Sequence, residues 1–298
     1  MTAPPLPHEP VLRQALGQTL GTSLRSATSV SGGCIAHATR LDTEAGPFFL
    51  KWGRGAVART FAGEAAGLQA LAAPTTPLQV PEVVAKQPET EDRPGFLVME
   101  WIDTGPPPPT FDADFGEALA VLHRHTDAQY GFSADNHIGR LPQSNTRHTD
   151  WPAFFRSQRL EPQVEMARKR GRWSAEWDAL FERAVDRLDT HLPSRPPASL
   201  VHGDLWSGNV MTTASGSPAL IDPATYYGHR EVDLAMTDLF GGFDDAFKAS
   251  YRSAWPLKPG YEQRATIYNL YHLINHLNHF GGAYAQQVRH ALGRAAHA

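Results

Sequence analysis

The chain has 298 residues, 41% of them apolar, enough for one large domain or two lobes around a sizeable core. A formal net charge of −4 and an isoelectric point near 6.4 leave no broad basic field for nucleic acid or an anionic membrane surface. One cysteine, Cys34, excludes an internal disulfide framework and a cysteine-built metal cluster.

Residues 1–10 carry four prolines and read as a loose arm. No continuous apolar segment occurs in the first thirty residues, so neither a signal peptide nor a membrane helix is expected, and the expected location is cytoplasmic. A short helix fits residues 11–20. Ser31-Gly32-Gly33-Cys34 fits a tight turn ahead of a strand over 35–41. Residues 47–52 alternate as a strand, with Phe48, Leu50 and Trp52 on one face and Phe49 and Lys51 on the other. Residues 56–73 have helical spacing, and Phe61, Glu64, Leu68 and Leu71 fall along one stripe. A carboxylate on an apolar stripe needs a cation, and Lys51 is the nearest with an inward-facing option. The two have the form of the strand lysine and helix glutamate with which kinases position nucleotide phosphates.

Strands are expected over 81–85 and 95–102. The second ends in Asp103-Thr104-Gly105 and four prolines, Pro106 to Pro109, a stiff extended run that marks the boundary between lobes. The backbone of Glu100, Trp101 and Ile102 would be the hinge that hydrogen-bonds an adenine. This divides the chain into a nucleotide-binding lobe, 1–101, and a helical lobe, 102–298. Beyond the hinge, Phe111, Phe115, Leu119 and Leu122 make an amphipathic stripe, with His123 on a neighbouring face. Residues 131–147 read as a polar loop of amides and glycines, and 151–169 and 173–191 as two helices. The basic run at Arg168, Lys169, Arg170 and Arg172 reads as a solvated helix face.

The stretch 200–222 carries the chemistry. Leu200 and Val201 form a short strand that delivers His202, Gly203 and Asp204 into a loop, and Asn209 follows Asp204 at the D-x-x-x-x-N spacing of a kinase catalytic loop. A hairpin over 210–221, turning at 214–217, brings Asn209 and Asp222 side by side. An amide oxygen and a carboxylate at one point suit Mg²⁺, which takes one or two carboxylates together with substrate phosphates. Asp204 would meet an incoming hydroxyl as base. After Asp222 the chain is too short for a long regulatory loop. Asp233 opens an apolar helix as a natural N-cap. His272, His276 and His279 share a face of the helix over 268–280. That helix reads as a core element, with a metal site the minor alternative.

The motifs HGDLWSGN at 202–209, IDPATYYG at 221–228, LFGGF at 239–243, IGRLPQSN at 138–145 and LYHLINHLNHFGGAY at 270–284 resemble the fructosamine kinase, or ketosamine-3-kinase, family. The resemblance covers nearly the whole chain. It implies an α+β, protein-kinase-like two-lobe fold, with a small β-rich N-lobe and a larger helical C-lobe, related to aminoglycoside phosphotransferases. The implied activity is ATP-dependent phosphorylation of the sugar 3-hydroxyl of ketosamines, whose unstable products release the free amine. Carried over by residue, Asp204 is the base, Asn209 and Asp222 hold Mg²⁺, Lys51 holds the nucleotide phosphates and Glu64 orients it. Gly32 and Gly33 form the phosphate loop, Asp233 braces the catalytic loop and Trp206 walls the sugar. Two runs depart from many bacterial members: Gly33-Cys34-Ile35-Ala36 in the phosphate loop, and Gly228-His229-Arg230-Glu231, counted with the substrate side. Cys34 is a candidate for redox control. Expected partners are a small-molecule or protein-bound glycated amine, with no nucleic acid and no membrane, on a monomer or weak dimer. The competing readings are a kinase for an aminoglycoside or choline-like alcohol, and a non-catalytic nucleotide-binding pseudokinase.

Overall fold

A computed structural model describes residues 10–30 and 36–297. The turn at Gly32, Gly33 and Cys34, with its phosphate-loop and redox expectations, lies outside the described residues, as does the arm before Pro10. The first part of the chain is built from α1 (Pro10–Leu20), β1 (Leu24–Ser29), β2 (His37–Thr43), β3 (Gly46–Gly53), α2 (Ala56–Ala72), β4 (Val83–Gln87) and β5 (Gly95–Glu100). Its five strands form one antiparallel sheet in the order β1-β2-β3-β5-β4. The alternation along β3 decides what covers each face. Leu50 and Trp52 pack with Leu12 and Leu16 of α1, while Phe49 joins Phe61 and Leu68 of α2. Strand β1 was not expected, because its LRSATS sequence is polar and half exposed, as suits an edge. Strand β4 begins at Val83 rather than at Pro81, which has no N–H to give a ladder.

The remainder carries α3 (Phe111–His123), β6 (Thr126–Asp127), β7 (Asn136–Ile138), β8 (Leu141–Gln143), α4 (Trp151–Phe155), α5 (Glu161–Lys169), α6 (Asp178–Asp186), α7 (Leu188–His191) and β9 (Ala198–Val201). There follow β10 (Val210–Thr212), β11 (Pro218–Leu220), β12 (Tyr226–His229), α8 (Glu231–Phe240), α9 (Asp245–Ala254), α10 (Tyr261–Phe280) and α11 (Ala285–His297). This is a helical lobe holding a small sheet, β12-β9-β6, and two hairpins.

Four expectations change here. The supposed polar loop contains the β7–β8 hairpin, with Asn136, Gln143 and Asn145 buried. The helix expected over 151–169 is interrupted by a π-helical turn at Arg156–Leu160. Helix α10 starts at Tyr261, and α11 follows it with Val288, Ala291, Leu292 and Ala295 turned inward. The basic run is not simply a solvated face. Arg170 and Arg172 donate to the carbonyls of Leu277 and Asn278, near the C-terminal end of α10, where cations offset the unsatisfied carbonyls and the helix dipole.

The β10–β11 hairpin is tied both to the loop between α2 and β4 and to the segment that joins the lobes. Gln79 N donates to Pro218 O (2.9 Å) and Leu220 N to Gln79 O (2.9 Å) on one side. Gly105 N donates to Thr212 O (3.2 Å) and Ala214 N to Asp103 O (2.7 Å) on the other. The hairpin that positions the site is thus fixed to the junction itself.

Candidate active site

Strand β9 is buried along its length and held on both sides, by β12 and β6, so the loop that follows it starts from a rigid base. Gly203 sits at φ +82°, and a Cβ there would lie 2.2 Å from Ala224 O, so no other residue fits. His202 is buried, and burial lowers its imidazole below the ordinary histidine range. Neutral, with its proton on Nε2, it donates to Ile221 O (2.8 Å) and accepts Asp204 N at Nδ1 (3.3 Å). His202 therefore locks the loop to the residue just before Asp222.

Asp233 is not the N-cap of its helix. It is the third residue of α8, fully inside, and accepts His202 N (2.7 Å), Gly203 N (2.9 Å) and His123 Nε2 (3.2 Å). Burial would raise its pKa, but these donors hold it below the usual carboxylate value. His123, expected on a neighbouring face, points into the core, where Tyr251 Oη and Asp233 occupy its two nitrogens. Bracing of the catalytic loop from below, implied by the family resemblance, is the geometry found.

The hairpin closes one residue tighter than a turn at 214–217 implies, with Val210 opposite Leu220, and Ile221 N donates to Asn209 O (3.1 Å), which leaves Asp222 one residue beyond the partner of Asn209. Asn209 Nδ2 donates to Asp204 O (2.8 Å) and approaches Asp204 Oδ2 (3.4 Å). Asp222 adopts a left-handed backbone, φ +55°, the one non-glycine among the described residues with positive φ. Asp tolerates that conformation better than most residues, and such strain gathers at working sites. Lys51 Nζ donates to both Glu64 Oε1 (2.6 Å) and Asp222 Oδ1 (2.5 Å). Five residues picked from the sequence, Lys51, Glu64, Asp204, Asn209 and Asp222, thus meet around one point between the lobes.

Burial alone would lower the Lys51 ammonium, but Glu64 and Asp222 outweigh it and hold the pKa well above the ordinary lysine value. Asp204 is pushed the other way, up to about 7, by burial first and then by the charge of Asp222. A carboxyl poised there suits a general base at neutral pH. The donor set also fits a hard dication. Asn209 commits its nitrogen to Asp204, which leaves the amide oxygen, and Asp222 keeps a second carboxylate oxygen beyond its Lys51 contact.

Of the hinge residues, Glu100 has its N–H on Glu82 O (2.9 Å). Ile102 is buried, and its main chain makes no hydrogen bond to another of the described residues. Trp101 packs its ring against Phe49 and under Arg40. Trp206 is 40% exposed, with its indole folded over Gly208, where a Cβ would come within 2.2 Å of the ring. The run 228–231 is buried within the helical lobe. Arg230 donates to Tyr251 Oη, Trp255 O and Pro256 O, and Glu231 pairs with Arg264 through two short bonds (2.6 and 2.8 Å). Of the three α10 histidines, His276 binds His272 O and His279 binds Ile138 O. Among the described residues no group of three histidines, cysteines or acids could hold a metal ion.

A β-rich lobe with a buried Lys–Glu pair, joined to a helical lobe with an Asp-x₄-Asn loop and a hairpin aspartate, defines a protein-kinase-like phosphotransferase fold. An aminoglycoside phosphotransferase shares it, with a TM-score of 0.61 over 95% of this chain and 98% of that one, at 18% identity. The chain belongs to the fructosamine kinase family, whose model matches residues 9–297. It is 40% identical to the "Probable ketoamine kinase" of Synechocystis over 97% of this chain and 96% of that protein. It is 35% identical to the chloroplastic protein-ribulosamine 3-kinase of Arabidopsis thaliana, over 93% and 84%. A crystal structure from Thermobifida fusca, of a proposed fructosamine-3-kinase, superposes with a TM-score of 0.85 at 32% identity, covering 97% of this chain and 99% of that one.

Proposed function

We infer that this protein is an ATP-dependent kinase that transfers a phosphoryl group to the sugar 3-hydroxyl of ketosamines. The observation that carries this reading is the convergence of Lys51, Glu64, Asp204, Asn209 and Asp222 in a member of the fructosamine kinase family. Asp204 accepts the proton of the attacking hydroxyl. Lys51, held by Glu64, grips the nucleotide phosphates, and the backbone of Ile102 meets the adenine. Asn209 and Asp222 are the residues that would hold Mg²⁺, which supplies charge neutralisation at the transferring phosphoryl group. Trp206 offers an exposed apolar wall for the sugar. The product is an unstable 3-phosphate that falls apart and frees the amine. An intact set of phosphate-handling residues disfavours a pseudokinase.

The deciding experiment is Mg-ATP turnover against ribulosamine, erythrulosamine, fructosamine, aminoglycoside and choline acceptors in parallel. Turnover of ketosamines alone is expected; turnover confined to the aminoglycoside, or absent throughout, would overturn the reading. Within the ketosamines, the shorter sugars are expected to give the higher kcat/KM, in line with the ribulosamine kinase among the relatives. A clear fructosamine preference would contradict this. Asp222→Ala should remove the Mg²⁺-dependent part of nucleotide affinity in calorimetry, since it strips the one carboxylate from the cation; unchanged Mg-ATP affinity would take Asp222 out of the metal site.

A further inference from the structure

The β7–β8 hairpin and the Asn145 that follows it, the segment that carries the IGRLPQSN motif, have no part in the reaction, yet three of their amide side chains are among the most buried polar groups in the molecule. Asn136, Gln143 and Asn145 are each 2–3% exposed. They form a closed amide network. Asn136 Oδ1 accepts Gln143 Nε2 (2.8 Å) and Asn145 Nδ2 (3.0 Å), and Tyr271 Oη donates to Gln143 Oε1 (2.6 Å). Below them lies Arg159, wholly buried and without a carboxylate partner among the described residues. Its charge is met by Ser144 O (2.5 Å), Gln158 O (2.9 Å), Asn145 Oδ1 (2.8 Å) and the face of Tyr226 at 3.9 Å. It projects from the π-helical turn that breaks the helix, an irregularity that is frequent at functional sites.

The outward donors of this network go to two adjacent carbonyls. Gln143 Nε2 donates to Ala224 O (3.0 Å) and Asn136 Nδ2 to Thr225 O (2.8 Å). Ala224 N is already on His202 O (2.9 Å), and β12 begins at Tyr226. The chain is therefore pinned from the second residue after Asp222 onwards. Helix α2 rests on the same assembly. A Cβ on Gly63 would lie 2.8 Å from Asn136 Cβ, and one on Gly67 would lie 3.1 Å from Thr225 Oγ1 and 3.3 Å from Pro223 Cγ. Glu64 stands between these two glycines, so the lysine-orienting carboxylate and Asp222 are both referenced to one rigid body.

We propose that Asn136 and Gln143, supported by Asn145, Arg159 and Tyr271, are positioning residues that hold Asp222 in its cation-binding pose by clamping the carbonyls of Ala224 and Thr225, two and three residues after it. The inference rests on the reading of Asp222 as a Mg²⁺ ligand. Left-handed backbone at Asp222 needs a fixed surround, and the clamp provides it where a freely moving segment could not. Outer-shell residues of this kind typically change metal affinity by about 10–100-fold when removed.

The test is a Mg²⁺ titration of the protein with a non-hydrolysable ATP analogue and no acceptor, read by calorimetry, alongside thermal midpoints. Asn136→Ala and Gln143→Met should leave metal-free nucleotide affinity near wild type while raising the Mg²⁺ concentration for half-effect about tenfold. Gly67→Ala presses on Pro223 from the opposite side and adds a good helix former, so it should raise the Mg²⁺ requirement without loss of midpoint. It decides the matter alone if the amide variants do not fold. Folded variants with lowered midpoints and a wild-type Mg²⁺ requirement would make the network mere core packing and overturn the proposal. Asp222→Ala is the control. If it too keeps the wild-type Mg²⁺ response, the metal reading falls and takes this inference with it; if it alone loses the response, only the clamp is refuted.

Discussion

Asp204→Asn is expected to lower kcat about 10²–10⁴-fold while nucleotide affinity stays near wild type, because a general base acts on the acceptor proton in the transition state. The same substitution should make the unliganded protein more stable at pH 8. Folding raises the Asp204 pKa from 3.8 to about 7, so the ionised form is disfavoured in the folded state. Below the unfolded value both states are protonated and there is no cost. As pH rises to the folded value the cost grows, and above it the cost is constant. The stability advantage of the asparagine variant should therefore be absent near pH 3.5, appear between about 4 and 7 and then level off. With Asp204 part-exposed in the cleft, a plateau on the order of 2 kcal/mol is expected. Urea midpoints of the two proteins across this range measure it. A variant that keeps its kcat removes Asp204 from the mechanism, and a pH-independent difference removes the electrostatic cost.

Asp233→Ala should have the largest effect on stability. It leaves the N–H groups of His202 and Gly203 and the Nε2–H of His123 without acceptors inside the protein. Each unmet buried donor costs about 1–3 kcal/mol, so a total of about 3–5 kcal/mol is expected, a large share of what a typical domain has. The loop held by those bonds carries Asp204, and misplacement by about 1 Å can lower kcat by about 10²-fold. Asp233→Asn keeps one carbonyl oxygen and should fall between the two. Denaturant midpoints and kcat measured together decide it; an alanine variant with a wild-type midpoint would show that water replaces the carboxylate at no cost.

The parts of the site legible in the sequence were those set by short-range rules. Strand alternation gave Lys51 its face and helical spacing gave Glu64 its stripe. A closed hairpin fixes its two ends whatever surrounds it, hence Asn209 beside Asp222. What escaped depended on partners distant in sequence. Residues 131–147 read as a polar loop because of their amides and glycines, and only the folded chain supplies Asn136, Gln143 and Asn145 with mutual partners and the carbonyls of Ala224 and Thr225. Asp233 fits an N-cap locally, but its acceptors serve a loop some thirty residues earlier. Arg170 and Arg172 look like a charged surface until α10 ends beside them. Helix α11 was hidden for another reason: its inward stripe is mostly alanine, too small to stand out from a polar background although the spacing is helical.

The seating of α2 bears on how such a chain can change over generations. The proline run after the hinge looks like a seam at which two modules were joined. Yet Leu71 and Leu78, well before it, belong to the large core of the second lobe, and Gly63 and Gly67 are shaped to Asn136, Pro223 and Thr225. A chimera that took its first hundred residues from a distant relative would set unmatched side chains against that seat, tilting the helix that carries Glu64. The two halves are therefore not freely exchangeable parts. Substitutions along α2 and in the 136–145 hairpin have to be accepted together, and the seam visible in the sequence is a poor place to recombine.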